Sequence, residues 1–414
     1  MNRLLLVSIS PAALLVILVG PFVQIGVAQL GLPASLVGGL VALQMLVSAT
    51  RPWLGRLGDR HPRGAAGRLA LLRWGLLATW SALPLVLLGL LQVGRLWPAS
   101  SASQRVLVVA AVAALMLIVA LGNHLSQTMQ AALLMEPLPA GSRSRIVRRL
   151  WLCMNLFTVL ASLLSAVVLQ RLKPQPLGGQ LIGLWVFWAL VVALLVGIAL
   201  HGPRLPSAST AVAAPRSRGP GMRTLLSGGF LPLLFLVHAP LYAQEVLLDP
   251  WATRLFGWPL AATATLIGCW AVGTLLGQGW ALLRPVRPSI ACLSVALVYG
   301  LLALRAPVAV LQLLPIPLLV AGLGLASGWL QLWVAGQVGE RCGGHLVGEM
   351  VGWLSAAVVF SRSLGVALGG PLLDGAGWLF GTHSAAAFAL AFGCLALLML
   401  VGALCCLRVE RRAA

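Results

Sequence analysis

Long apolar runs recur from one end of the chain to the other, and short polar stretches separate them. Each run is roughly 18 to 25 residues long, enough for a helix to cross about 30 Å of hydrocarbon. We therefore predict an all-α polytopic membrane protein with about twelve transmembrane helices. They cover roughly residues 8–30, 34–53, 69–91, 105–130, 146–170, 180–201, 225–248, 259–282, 289–305, 308–336, 346–372 and 384–407. No cleavage pattern of small residues follows the first run, so we expect a retained helix.

The polar stretches divide these runs into two groups of six. Residues 202–224 are rich in proline, serine and alanine, a composition that cannot build a hydrophobic core and is typical of a flexible linker. We predict an N-terminal six-helix half in residues 1–201, a cytoplasmic linker in residues 202–224 and a C-terminal six-helix half in residues 225–414. Two halves of six helices are a layout found among secondary transporters.

Composition supports this class of protein and indicates its orientation. Hydrophobic residues make up 60% of the sequence and charged residues 9%, which excludes an ordinary soluble domain. The net charge is +20, but the arginines lie mainly in short loops between apolar runs, so we predict no nucleic-acid partner. Most of these arginines follow even-numbered runs. The positive-inside rule therefore predicts that both termini and the linker are cytoplasmic.

The loop between the second and third predicted helices, GRLGDRHPR from Gly55 to Arg63, holds one carboxylate among arginines. Such a loop can join neighbouring helix ends by charge-assisted hydrogen bonds. A basic cytoplasmic loop with an incidental aspartate would look the same. The segment resembles the G-x-L-x-D-R-x-G-R loop of the major facilitator superfamily, with Pro62 in place of a glycine. The matching residues of this conformational loop are Gly55, Leu57, Asp59, Arg60 and Arg63. The resemblance implies the major facilitator fold.

Two further segments resemble the PucC branch of that superfamily. One is GNHLSQT, from Gly122 to Thr128, and the other is AQEVLLDPW, from Ala243 to Trp251. Members of the branch carry similar H-x-x-Q-T and A-Q-D/E-V-L-L-E/D-P segments and are associated with assembling (bacterio)chlorophyll-binding antenna complexes in photosynthetic bacteria. The resemblance implies chlorophyll or bacteriochlorophyll as cargo. Besides membrane lipids, it implies antenna apoproteins or chlorophyll-synthesis enzymes as partners, in a bacterial inner membrane or thylakoid.

A stripe of polar side chains runs along the seventh predicted helix, mostly at the spacing of one helix face. Its residues are His238, Tyr242, Gln244, Glu245 and Asp249. Ionisable groups are costly in lipid, so we predict that the stripe faces the protein interior or a wet cavity and contacts a ligand there. Pro240 removes a backbone donor within the same segment, and we expect it to kink or interrupt the helix.

Glu245 and Asp249 lie one helical turn apart and would repel each other if both were charged. Proton coupling in a transporter is one interpretation, with one carboxyl group staying protonated. A structural cap for a turn at Pro250, with Arg254 as partner, is the other. The residues alone leave both interpretations open.

Three polar residues share one face late in the fourth predicted helix, namely His124, Gln127 and Thr128. A neutral imidazole or an amide oxygen could occupy the axial position of a chlorophyll magnesium, since imidazole is a common metal ligand. Alternatively, these groups form hydrogen bonds to a neighbouring helix, as polar residues in membranes usually do. We favour this second interpretation for His124, and we expect the residue to face the interior in either case.

Arg362 lies in the middle of the eleventh predicted helix, where an arginine needs an anionic partner or water. Glu349 is the other charge that we predict to be buried in this helix. It lies about 20 Å from Arg362 along a helix, too far for direct pairing. The partner of Arg362 must therefore lie on another helix, or the local helix must be broken.

No residue pattern indicates catalysis or a metal site. The chain has no Walker loop and no HExxH segment, and its seven cysteines form no CxxC pair, so we predict neither an enzyme nor a protein-bound metal. Three functions stay open. The first is a PucC-like protein that delivers or inserts (bacterio)chlorophyll into antenna apoproteins. The second is a proton-coupled major facilitator transporter of a small amphipathic solute, and the third is a structural partner that shields antenna complexes during assembly.

Overall fold

The structure is a computed structural model that describes residues 2–98, 101–135, 140–201, 230–284, 286–305, 311, 314–341, 347–382 and 384–413. Within these ranges the chain forms helices and no strand. We number the long helices α1 to α12 in chain order, with α1 and α2 each joining shorter helical segments. Their bounds are Arg3–Gln29, Ala34–Asp59, Gly64–Leu96, Ala102–Met135, Ala140–Leu172, Leu177–Leu200, Phe230–Phe256, Leu260–Leu283, Pro288–Arg305, Ile316–Arg341, Val347–Phe380 and Ala385–Ala413.

Within the described part of the chain, eleven helices are long and apolar enough to cross a membrane. The long helix outside this set is α7, which has 27 residues and contains His238, Glu245 and Asp249. The prediction of an all-α bundle with about twelve transmembrane helices is confirmed. The predicted linker, residues 202–224, lies outside the described residues.

The second helix is longer than the sequence pattern predicted. The predicted span ended near residue 53, but α2 continues to Asp59. Pro52 lies in the first turn after a short 3-10 segment, Val47–Thr50, and a missing backbone donor costs little in a first turn. The helix therefore continues through a sequence that we interpreted as a loop. Of the five residues that match the family loop, three belong to this helix: Gly55, Leu57 and Asp59.

The seventh helix is continuous, so the part of our expectation that had Pro240 interrupt it was wrong, and a kink there stays a prediction. The helix runs from Phe230 to Phe256 with both Pro240 and Pro250 inside it. Tyr299 of α9 donates its hydroxyl hydrogen towards the carbonyl oxygens of Pro240 (2.7 Å) and Leu241 (3.1 Å). The Tyr299 hydroxyl thus joins α9 to the backbone of α7 beside the proline.

The two halves, α1 to α6 and α7 to α12, meet along two helix pairs, α2 with α11 and α5 with α8. In the α5–α8 contact, Ser162 Oγ donates to the carbonyl of Ala264 and accepts from the backbone N–H of Gly268 at 2.9 Å. In the α2–α11 contact, Ser363 Oγ donates to the carbonyl of Ala42 at 2.8 Å. Small hydroxyl side chains therefore join the backbones of the two halves.

Polar contacts also close the end of the bundle opposite the α2–α3 loop. Asp374 of α11 accepts from the backbone N–H groups of Ala34 (2.9 Å) and Ser35 (2.8 Å), the first residues of α2. A carboxylate from one half thus caps a helix of the other half. At the same end, Gln24 of α1 donates to Thr253 Oγ1 of α7 at 2.8 Å. These contacts hold the halves together on the side away from the loop.

We expect Asp374→Ala to lower the thermal unfolding midpoint of the purified protein, because the first N–H groups of α2 lose their acceptor at a cost of about 1–2 kcal/mol. Asp374→Asn keeps one acceptor oxygen and should cost less. Tryptophan fluorescence during heating in detergent measures both effects. An alanine variant that melts with the parent protein would show that the cap does not stabilise the bundle.

Candidate functional site

The polar stripe of α7 points into the protein. The exposed fractions of its side chains are 0% for His238, 2% for Tyr242 and Gln244, 9% for Glu245 and 3% for Asp249. The spacing of these residues along the sequence places them on the inner side of a helix that packs against α11 and α12. Their roles as ligand contacts stay predictions.

Arg362 of α11 forms an ion pair with Glu245 of α7. The guanidinium contacts both carboxylate oxygens, through Nη2 to Oε1 and through Nε to Oε2 at 3.2 Å. Its Cζ also lies 4.9 Å from the centre of the Tyr242 ring, in a cation–π contact. The partner of Arg362 is thus on another helix, and α11 is unbroken around it. The side chain of Glu349 lies outside the described residues.

A chain of hydrogen bonds connects this ion pair to the N-terminal half. Gln331 of α10 donates to the hydroxyl oxygen of Tyr242 at 2.9 Å. Gln278 of α8 donates to Gln331 at 3.0 Å, and Asn155 of α5 donates to Gln278 at 3.2 Å. Sequence analysis did not single out the two glutamines. An isolated amide inside a long apolar run was the signal that could have found them.

Three buried atoms of the α7 stripe have no hydrogen-bond partner among the described residues, namely His238 Nε2, Gln244 Oε1 and Asp249 Oδ2. The other ring nitrogen of His238 lies 3.3 Å from Ser361 Oγ. Asp249 is not a cap for a turn at Pro250, because α7 continues past both residues. Arg254 is exposed and forms no ion pair with Asp249 in the described part of the chain, so that interpretation was wrong.

A second polar cluster lies in the N-terminal half and is centred on Arg51 of α2, which is 5% exposed. Its Nε and Nη2 lie 2.9 and 2.7 Å from His124 Nδ1, and Nη2 donates to Gln127 Oε1 at 2.9 Å. The other ring nitrogen of His124 lies 3.0 Å from the carbonyl oxygen of Gln44. Sequence analysis did not single out Arg51 as a site residue.

The contacts of His124 in this cluster decide between pigment ligation and hydrogen bonding for this residue. Its side chain is 2% exposed and faces the interior, as expected. Both of its ring nitrogens have protein partners, so neither is left for a metal in this arrangement. Gln127 accepts a hydrogen bond from the same arginine, Arg51. Thr128 does not join the cluster, because its hydroxyl donates to the carbonyl of His124 at 2.7 Å within α4. The hydrogen-bonding interpretation therefore describes this face of α4.

The conformational loop lies away from both clusters. Asp59, at the end of α2, pairs with Arg68 in α3 at 3.5 Å, and Arg68 also donates to the carbonyl of Gly58 at 3.1 Å. The carboxylate thus joins two helix ends, whereas Arg60 and Arg63 are exposed. Charge-assisted contacts of this kind hold α2 and α3 together at the loop end of the bundle.

Three neighbouring cavities lie between the halves, and Arg362 lines all of them. The largest holds about 1030 Å³ of space, including volume open to solvent, and its lining residues come from both halves on the loop side of the bundle. The second, of about 460 Å³, contains Arg51 and His124, and the third, of about 400 Å³, contains Glu245 and Asp249. Both polar clusters therefore border one interior space.

The fold and the interior space define a polytopic helical membrane protein with two six-helix halves. Among solved structures, the nucleoside transporter NupG is similar, with 13% identity, a TM-score of 0.66 and 99% of each chain covered. At this level of identity the likeness shows the fold alone. That fold is the major facilitator fold, as predicted.

A sequence profile of the PUCC protein family matches residues 24–414, and the chain therefore belongs to this family. Protein PucC of Rhodovulum sulfidophilum is 26% identical over 291 residues, which cover 67% of this chain and 63% of that protein. Protein PucC of Rhodobacter capsulatus is 26% identical over 308 residues, which cover 70% and 65%. The matches thus span slightly less than two thirds of both relatives. The predicted resemblance to PucC is confirmed.

We expect Glu245→Gln and Arg362→Gln each to destabilise the protein by about 3–5 kcal/mol, because each leaves an uncompensated charge in the interior. The double variant should be more stable than either single variant, since two amides can bond to each other. Thermal unfolding in detergent of the four proteins measures the coupling. Losses that simply add in the double variant would contradict an energetically coupled pair.

Proposed function

We propose that this protein assists the assembly of light-harvesting complexes by delivering or inserting (bacterio)chlorophyll into antenna apoproteins. Membership of the PUCC family carries the proposal, since members of this branch are associated with antenna assembly. The interior space between the two halves supports it, because a cargo that is mostly apolar but has polar substituents needs a mixed environment. We place the protein in a photosynthetic membrane with both termini in the cytoplasm.

The walls of the largest cavity suit such a cargo. Trp151, Tyr242 and Trp270 supply aromatic surface, while Gln130 and Arg362 supply polar groups. Large flat apolar molecules pack well against aromatic side chains. His124 is not a free axial ligand here, and His238 is not among the residues that line the three cavities. We therefore assign pigment recognition to the cavity walls and not to coordination by either histidine.

The contacts between the halves suggest how cargo would enter and leave. The far end is closed by Asp374 and Gln24, and the largest cavity lies on the side of the α2–α3 loop. With the termini in the cytoplasm, cargo would enter from the cytoplasmic side or from the adjoining leaflet. Rocking of one half against the other would then expose the interior to an apoprotein in the membrane.

The test is to purify the protein in mild detergent from a photosynthetic host and to record its absorption spectrum. Met154→Trp should reduce the bound pigment. Met154 lines two of the cavities, and the bulkier indole ring of tryptophan would occupy space that the pigment needs. Leu160→Trp is the matched control, since Leu160 is on the same helix but is 42% exposed. We expect the control to retain its pigment.

Other spectra would identify the rival functions. Antenna complexes that co-purify without free pigment would favour a structural partner that shields them during assembly. A colourless protein whose deletion leaves antenna levels normal would contradict the proposal. Pigment that is lost equally in Met154→Trp and Leu160→Trp would show that it binds outside the cavity.

A proton-coupled transporter of a small amphipathic solute is the second candidate, and Asp249 is the observation that favours it. This carboxyl group is 3% exposed, has an oxygen without a partner and lines a cavity together with Glu245. Intramembrane carboxyl groups near a cavity are common in proton relays. We expect Asp249→Asn to abolish any solute flux that a pH gradient drives in proteoliposomes. Flux that persists in this variant would exclude Asp249 from coupling.

A further inference from the structure

Arg51 is a buried cation that contacts no anion among the described residues. Only 5% of the residue is exposed, and its hydrogen bonds go to His124 and Gln127. Its remaining nitrogen, Nη1, has no acceptor within the described part of the chain. A charged group inside a membrane bundle is costly unless an opposite charge or water compensates it. The energetic requirement for an anion at this position is therefore unmet by the protein.

The partner histidine does not supply the missing charge. His124 Nε2 lies 3.0 Å from the carbonyl oxygen of Gln44, which can only accept a hydrogen bond, so the ring proton is on Nε2. His124 Nδ1 then carries the lone pair that accepts from Arg51. The imidazole is thus neutral, and Gln127 is neutral too. Both groups orient the guanidinium of Arg51 without balancing its positive charge.

The positive charge of the second arginine that lines this space, Arg362, is balanced by an anion. Arg362 and Arg51 both line the two cavities of about 460 and 1030 Å³, but Arg362 is paired with Glu245. Among the described residues that line these two cavities, one positive charge is therefore in excess, at Arg51, whereas Asp249 lines only the third cavity. Around it the cavity walls are largely apolar, with Leu15, Met154 and Val359 nearby in the lining.

We infer that Arg51 is the binding group for the anionic head of an amphipathic ligand, with a carboxylate as the chemical class. A guanidinium forms strong charge-assisted hydrogen bonds with carboxylates, and His124 and Gln127 hold it in place for this purpose. The apolar body of the ligand lies against the cavity walls. The inference rests on the proposed function only for the shared cavity. (Bacterio)chlorophyll is an ester, so the ligand inferred for Arg51 is a free acid and differs from that cargo in this group.

The experiment compares two probes that differ only in this group, pheophorbide a and its methyl ester. Binding is measured by tryptophan quenching with the full chain in phosphatidylcholine nanodiscs, and empty nanodiscs provide the background. We expect the parent protein to prefer the acid. Arg51→Gln should weaken acid binding by about 10- to 100-fold, the value of a charge-assisted hydrogen bond, and leave ester binding nearly unchanged. Arg51→Lys should retain part of the preference.

The matched control is Arg73→Gln, which removes one positive charge from an exposed position on α3 and should retain the preference for the acid. Equal binding of acid and ester by the parent protein would overturn the carboxylate site and leave pigment delivery standing. This comparison decides the matter even where Arg51→Gln fails to fold. Arg51-dependent binding of dodecanoate but not dodecanol, with neither pigment bound, would support the site and contradict pigment delivery.

Discussion

Charge inside the bundle is the constraint on which the rest of this structure depends. The chain has 28 lysines and arginines but only 8 aspartates and glutamates, so most of its cations must remain in loops where water solvates them. Cations that enter the membrane region need a specific arrangement. Arg362 has Glu245, and this pair joins α7 to α11 within one half. Among the described residues, Arg51 has only neutral acceptors. The interior therefore contains one balanced and one unbalanced arginine.

Neutral polar groups form specific bonds between the halves. Ser162, Ser363 and Asn155 each bond across the α5–α8 or α2–α11 boundary. Such bonds contribute modestly in a membrane, so they can be exchanged when the halves move. The Asp374 cap differs, because it places a carboxylate on backbone N–H groups at the closed end. Opening that end would require these bonds to be replaced by water.

The major facilitator fold does not by itself identify the cargo. NupG transports nucleosides according to its name and has the same architecture at 13% identity. Function resides in the residues that face the interior. In this chain they are a balanced ion pair, an unbalanced arginine, an unpaired aspartate and aromatic walls. A carboxylate-bearing pigment and a proton-coupled solute would each use a different part of this set.

The sequence by itself determined the membrane class, the number of helices, the two-half layout and the inward direction of the α7 stripe. Hydrophobic length and helical periodicity are local properties, and a single helix has to obey them before it packs. The tertiary structure decided the pairings. Glu245 meets Arg362 across 117 positions, and Arg51 meets His124 across 73. The tertiary structure also showed that α2 continues past Gly55 and α7 past Pro240. These outcomes depend on which helix supplies the partner atom, and spacing along one chain contains no information about its neighbours.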